Sequence, residues 1–305
     1  TFFAVMTVAT QRQLWFQALN PLIYTAAVIP VLVGTAASYA EAPERCKVET
    51  FAWVMAGVVL LQAWLNITND VYDAETGVDV NKPSSLVNLT GQPRLLQIIA
   101  WSCLAMGLIC IYVVNANWPD HWILGISGAG ILLGYCYQAP PFRFAYRGWG
   151  EPMTFVAFGP LSTLAASYAQ LGRFSAMAFW ASLVVGCLVT GIIFAHHFPQ
   201  VEDDRRAGKR SPVVQLGGQR ASRLYPWVVL PAYGITLTGV GLGILPVTTL
   251  LFCLSLPLAL RLVRFLWQHY EGAASGGAMP LAVGLHALGG ILLAVGLGWS
   301  QVNFG

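Results

Sequence analysis

Residues 66–79 read NITNDVYDAETGVD. This stretch closes a long apolar run and carries Asp70, Asp73, Glu75 and Asp79, four of the chain's thirteen acidic residues within ten positions. A second acidic cluster, Glu202, Asp203 and Asp204, follows another apolar run. Seven of thirteen carboxylates in two short segments is not the pattern of a solvated surface. If the run before Asp70 stays helical, Asn66, Asp70 and Asp73 share one face at i, i+4 and i+7. Carboxylates held that close oppose each other's ionisation unless a cation offsets them. Hard oxygen ligands suit Mg²⁺, which typically binds one or two carboxylates together with phosphate oxygens. Gly77 should end the helix, with Asp79 just beyond. The two acidic segments are expected to face each other and hold divalent cations.

Working outward, composition sets the class. The chain is 56% hydrophobic and 10% charged, against about 25% charged in an ordinary soluble domain. Its apolar runs approach the roughly 20 residues a membrane helix needs. Unpaired backbone is not tolerated in lipid, and continuous apolar runs rather than ten-residue alternation favour helices over a barrel. The expected fold is an all-α integral membrane protein, one domain over residues 1–305. Nine transmembrane helices would surround a central cavity, with short cap loops. The spans fall near 13–39, 50–68, 95–115, 120–138, 150–171, 174–198, 223–245, 247–267 and 279–301. Asn20-Pro21 and Pro30 should bend the first. Glycines in the fourth (Gly125, Gly128, Gly130, Gly134), seventh (Gly239, Gly241, Gly243) and ninth (Gly289, Gly290, Gly296, Gly298) should allow close helix packing.

The connections alternate sides. Thirteen of the sixteen Lys and Arg fall on the side of the N-terminus and of loops 69–94, 139–149, 199–222 and 268–278. The other side holds only Arg45, Lys47 and Arg173. The positive-inside rule places the first side, with both acidic clusters, toward the cytoplasm or a plastid stroma. The six cysteines show no metal spacing, and five lie in apolar runs as small buried hydrophobes. No secretory leader is expected, because the first basic residue is Arg12 and the first helix is too long for such a segment.

Bases accompany the acids. Lys82, Arg94, Arg143 and Lys209 are the candidates for phosphate contacts. A polyanion bridged by metal on one side and by Arg/Lys on the other fits diphosphate better than a monovalent ligand, and an apolar wall behind it calls for a greasy organic part. Arg205, Arg206 and Arg210 read equally well as topology signals. His196 and His197 read either as a satisfied polar pair or as a metal or substrate contact. Tyr72, Tyr135 and Tyr137 are substrate-side candidates by position.

With these residues assembled, the chain resembles the UbiA superfamily of intramembrane prenyltransferases. NDVYDAETGVD at 69–79 is similar to that family's first Asp-rich motif. Ala74, where ubiquinone-type and chlorophyll-type members carry Arg, is similar to the naphthoate branch. HHFPQVEDDRRAGKRSPVV at 196–214, NLTGQ at 88–92 and YRGWGE at 146–151 resemble cyanobacterial and plant members of that branch. The resemblance implies a metal site at Asn66, Asp70 and Asp73, with Asp204 in a second. Glu202 and Asp203 join that second site if the helix unwinds at Pro199. His196 and Gln200 stand where many relatives carry Asn and Asp, and are taken as substrate-side residues. Asn20 stands where relatives often carry a basic residue.

The implied reaction is Mg²⁺-dependent transfer of a phytyl or polyprenyl group from its diphosphate to 1,4-dihydroxy-2-naphthoate. The ring carboxylate leaves as CO₂, on the way to phylloquinone or menaquinone. The expected partners are those two substrates and the lipid bilayer, with no nucleic acid. The expected location is a bacterial inner or thylakoid membrane, or a plastid membrane. The alternatives are another acceptor (homogentisate, chlorophyllide, haem or a hydroxybenzoate) and a secondary transporter, which would place ionisable groups near the bilayer midplane.

Overall fold

The computed structural model describes residues 8–77 and 83–301. Asp79 and Lys82, both singled out above, lie outside the described residues. Helices account for the architecture, and the described residues contain no strand. The order is α1 (Val8–Leu19), α2 (Thr25–Glu41), α3 (Val48–Thr76), α4 (Leu86–Thr90), α5 (Pro93–Asn115), α6 (Trp122–Gln138), α7 (Gly150–Val156), α8 (Ser162–Leu171), α9 (Ala176–His196) and α10 (Val201–Arg206). Then come α11 (Pro212–Leu216), α12 (Gly218–Leu224), α13 (Pro226–Val229), α14 (Pro231–Gly241), α15 (Leu256–Gln268) and α16 (Ala278–Trp299).

Six helical segments among the described residues are long and apolar enough to cross a bilayer: Gln11–Glu41, Val48–Thr76, Pro93–Asn115, Ala176–His196, Val247–Gln268 and Ala274–Trp299. The other three expected spans correspond to shorter or interrupted helices. α6 has 17 residues. A π turn at Ala157–Leu161, containing Pro160, separates α7 from α8. Pro226 and Pro231 divide the 218–241 stretch into α12, α13 and α14. Proline lacks the N–H that a continuous helix needs, so such positions open new turns.

The core gathers on α9. Apolar on all sides, this helix must be surrounded rather than lie at a boundary. Its Ala178, Ala181, Val184, Val185, Leu188 and Ile192 are buried against α2, α14 and α16. Small residues bring backbones together: a Cβ on Gly34 of α2 would collide with the Thr163 carbonyl of α8. The glycine expectation holds only in part. Gly134 packs on Leu65, Gly239 on Trp180, Gly290 on Ile29 and Gly296 on the Thr248 backbone, and Gly289 lies against Phe252 and Leu188. Gly125, Gly128, Gly130, Gly241, Gly243 and Gly298 meet no neighbour. Gly125 and Gly128 lie on the outer face of α6, and Gly130 faces a cavity instead of a helix.

The loops sort to two ends. At one end Arg45 donates to the Leu171 carbonyl, Lys47 N donates to Gln170, and Arg173 pairs with Glu41. At the other, loop 144–147 meets both the C-terminal turn of α3 and the segment after α10. Tyr146 OH donates to Asp73, and Arg210 N donates to the Tyr146 carbonyl. Both acidic segments therefore stand at the same end of the bundle.

Candidate active site

The first acidic segment is a continuation of α3. The helix does not stop at 68 but runs through Thr76, where Gly77 ends it in the left-handed region at φ 80°. Only a residue without Cβ takes that conformation cheaply. Asn66, Asp70 and Asp73 thus stay on one face. Gln62, one turn earlier, donates through Nε2 to Asn66 Oδ1 at 2.7 Å. Leu86 N, at the start of α4, donates to Asp70 Oδ2 at 2.8 Å. Asp73 accepts from Asn69 Nδ2 at 2.9 Å through Oδ2 and from the Tyr146 hydroxyl at 2.6 Å through Oδ1. These three donors are neutral and aim the carboxylates. Burial first, then the charge of Asp73, raise the Tyr146 phenol above its ordinary range, so it remains a donor. Arg143, itself at φ 42°, reaches Glu75 at 3.7 Å.

The second segment is built differently. α9 ends at His196, residues 197–200 turn at Pro199, and α10 begins at Val201. Asp204 is fully buried. Its Oδ2 lies 3.1 Å from His197 Nδ1 and its Oδ1 lies 3.2 Å from Lys209 Nζ. The far nitrogen of His197 lies 3.3 Å from Glu151 at the start of α7. Burial pushes the Asp204 carboxyl up, but the hydrogen bond and charge of His197 and the ammonium of Lys209 outweigh it. The net position is below the usual carboxylate range. Glu202 and Asp203 turn outward and pair with Arg205 at 2.6 Å and Arg206 at 3.7 Å.

A cavity of about 680 Å³ runs from the α3 motif into the bundle. Asn66, Asn69, Asp70 and Ser84 line its polar end, with Tyr137 and His196 beside them, while Trp53, Val54, Val114 and Ile123 line its depth. From Val54 to Asp70 is sixteen residues of α3, about 24 Å along the axis. His196 Nδ1 lies 3.4 Å from Met279 Sδ. Tyr137 is within electrostatic range of Asp73, Glu151 and Asp204.

Other expected contacts stand apart from this wall. Arg94 is exposed on the outer face of α5, beside Gln97, Ile98 and Trp101. Tyr135 leans toward the Pro140 carbonyl at 3.5 Å. Tyr72 and Gln200, both half-buried, are not among the residues lining the cavity. Glu151 and Tyr146 are not singled out as site residues by the sequence, and of the two readings given to His197 the structure shows the satisfied polar contact, between Asp204 and Glu151. Glu151 had one signal, standing as the sole acid between Asp120 and Glu202. Among the described residues no three His, Cys, Asp or Glu side chains form a ready cage for a metal. An ion here needs further oxygens, such as those of phosphate.

The profile described as the UbiA prenyltransferase family matches residues 27–281. The chain belongs to that family. It is 38% identical over 301 residues, covering 98% of both chains, to the 2-carboxy-1,4-naphthoquinone phytyltransferase of Synechocystis sp.. It is 34% identical to the chloroplastic enzyme of that description from Arabidopsis thaliana, covering 94% of this chain and 77% of that one. The 1,4-dihydroxy-2-naphthoate octaprenyltransferase of Bacillus subtilis is 23% identical, covering 93% of this chain and 92% of that one. The apo structure of a UbiA homolog from Aeropyrum pernix K1 superposes with a TM-score of 0.70 over 94% of this chain and 99% of that one, at 15% identity. The fold is therefore that of a multi-pass intramembrane prenyltransferase.

Proposed function

We propose that this chain transfers a phytyl or longer polyprenyl group from its diphosphate to 1,4-dihydroxy-2-naphthoate, with loss of the ring carboxylate as CO₂, in quinone biosynthesis. One observation carries the reading: a deep apolar cavity has Asn66 and Asp70 of the α3 motif at its polar end, and relatives covering nearly the whole chain carry the name of this chemistry. Those relatives' names give the acceptor as the oxidised naphthoquinone. Attack on an allylic cation needs an electron-rich ring, so the dihydroxy form is the one that reacts. The reading includes nine membrane crossings in one domain over 1–305, with the motif end toward the cytoplasm or stroma because the Lys and Arg gather there.

The donor set fits Mg²⁺. Asn66, Asp70 and Asp73 offer the oxygen ligands that a hard divalent cation takes. A related structure from Archaeoglobus fulgidus is described as bound to DMAPP and Mg²⁺. Asn66, Asp70 and Asp73 would hold the ion, which when bound neutralises the diphosphate leaving group. Arg143, Lys209 and Lys82 would bind the diphosphate; the outward Arg94 is the weakest of the four candidates. The apolar wall from Leu65 to Val54 takes the prenyl chain and keeps water from the cation formed when the allylic C–O bond breaks. Tyr137, which lines the cavity, would stabilise that cation through its ring.

The test is mass spectrometry of the lipid-soluble product. Purified enzyme would be incubated with naphthoate and a mixture of prenyl diphosphates, in parallel with homogentisate, chlorophyllide and hydroxybenzoate. A decarboxylated prenyl naphthoquinol is expected. Product from another acceptor alone, or substrate flux into liposomes with no diphosphate released, would replace this reading.

A further inference from the structure

A glutamine in an apolar wall has two ends to satisfy, a carbonyl oxygen and an amide nitrogen. Gln62 stands on α3 one turn before Asn66, about 6 Å deeper along the axis, and lines the cavity. Between Val54 and Asn66 the α3 side of that cavity is otherwise apolar, apart from the indole of Trp64. Gln62 is 5% exposed. Its Nε2 donates to Asn66 Oδ1 at 2.7 Å. Its Oε1 is buried and meets no donor among the described residues. A buried carbonyl without a donor is uncommon and costs stability. Set in the wall of a cavity, it is an acceptor left for a guest.

The proposed function, on which this step rests, leaves few guests. The prenyl chain has no polar hydrogen. The diphosphate is anionic and carries acceptors, so a carbonyl oxygen repels it. The dihydroxynaphthoate brings two ring hydroxyls, each both donor and acceptor. We infer that Gln62 binds one ring hydroxyl of the aromatic acceptor and so helps set which rings the site takes. A hydroxyl pairs with the amide whichever way that amide is turned. The diphosphate then sits at the metal motif and the ring one helical turn deeper, beside the allylic carbon that must reach it.

Equilibrium dialysis of the full chain in phosphatidylcholine nanodiscs tests it, under anaerobic reducing conditions with Mg²⁺ and phytyl thiodiphosphate in place of the reactive donor. The ligands are 1,4-dihydroxy-2-naphthoate and the two acids that each lack one hydroxyl, 1-hydroxy-2-naphthoate and 4-hydroxy-2-naphthoate. Empty discs serve as blank. In the wild type one monohydroxy acid should bind about tenfold more weakly than the dihydroxy acid, through loss of the Gln62 contact. In Gln62→Met that penalty should fall to within about twofold, while the penalty for the other monohydroxy acid stays as in the wild type. Penalties unchanged for both acids, or changed for both alike, would overturn the inference, because Gln62 would then meet water or serve Asn66 alone. Gln62→Leu takes the place of Gln62→Met if that variant does not insert. Phytyl transfer from phytyl diphosphate to the dihydroxy acid is assayed on the same wild-type preparation. Transfer without the selective penalty rejects the inference and keeps the function. The selective penalty without transfer rejects the function and keeps the hydroxyl contact, and neither binding nor transfer rejects both.

Discussion

Replacing Tyr146 with Phe removes one hydroxyl and leaves the ring beneath Lys209. The lost group donates to Asp73 at 2.6 Å and has Thr76 Oγ1 2.8 Å away. A hydrogen bond to a charged acceptor contributes about 1.5–3 kcal/mol net. Tyr146 is half-buried, and partial screening by water lowers that to about 1–2 kcal/mol. The loss falls on the orientation of Asp73, so it should appear as weaker metal binding. At about 1.4 kcal/mol per factor of ten, the half-saturating Mg²⁺ concentration should rise about 5–30-fold. Saturating Mg²⁺ should restore most of the wild-type turnover.

The assay is the initial rate of prenyl transfer in nanodiscs across a Mg²⁺ titration, with the melting temperature recorded as a check on folding. Because burial and Asp73 together hold the Tyr146 phenol protonated, the ratio of the two midpoints should stay flat between about pH 6 and 9, well below an ordinary tyrosine pKa. Midpoints within twofold of each other, in a variant that melts like the wild type, would refute the idea that Tyr146 sets the Asp73 carboxylate.

Three further outcomes follow from the same geometry. His197→Leu strips the imidazole from between Glu151 and Asp204 and should cost about 3–5 kcal/mol of stability, the cost of breaking a buried charged network; adding Lys209→Met should cost less than its single effect, and strict additivity in thermal unfolding would deny the network. Asp204 titrates below its unfolded value, so its contribution is complete above about pH 3.9 and is lost as pH falls through the lower folded value; the melting gap between wild type and Asp204→Asn should be constant near neutrality and close below about pH 4, and a gap that widens on acidification would contradict the assignment. Val54→Trp fills the deep end of the cavity and should shift preference toward shorter prenyl diphosphates by about tenfold; unchanged chain-length preference in competition assays would mean the prenyl chain lies elsewhere.

Much of the fold was legible because bilayer thickness is a length measure that hydropathy reports directly. Six of the expected spans coincide with long apolar helices. The uneven distribution of Lys and Arg also anticipated which loops meet, since Tyr146 touches both the α3 end and the segment after α10. What hydropathy does not encode is continuity. The prolines at 160, 226 and 231 sit inside apolar stretches, and a window average passes over them, yet each coincides with a break or a π turn.

The site separates along a sharper physical line. The spacing of Asn66, Asp70 and Asp73 converts directly into a shared face because α3 stays helical through Thr76, and period alone then fixes direction. At 202–204 the same density of carboxylates carries no such information. Adjacent residues on a six-residue helix diverge, and which one faces inward depends on where α9 stops and how α10 is set down after Pro199. Arg94 fails for a related reason: a basic residue at a helix end is counted alike whether it faces the bundle or the lipid. Asp204 won the inward position because His197 and Lys209 were there to receive it. A buried carboxylate without those partners would carry an uncompensated desolvation cost of several kcal/mol. The partners that decided its direction lie seven residues before and five after it, across two helix breaks, where no periodicity connects them.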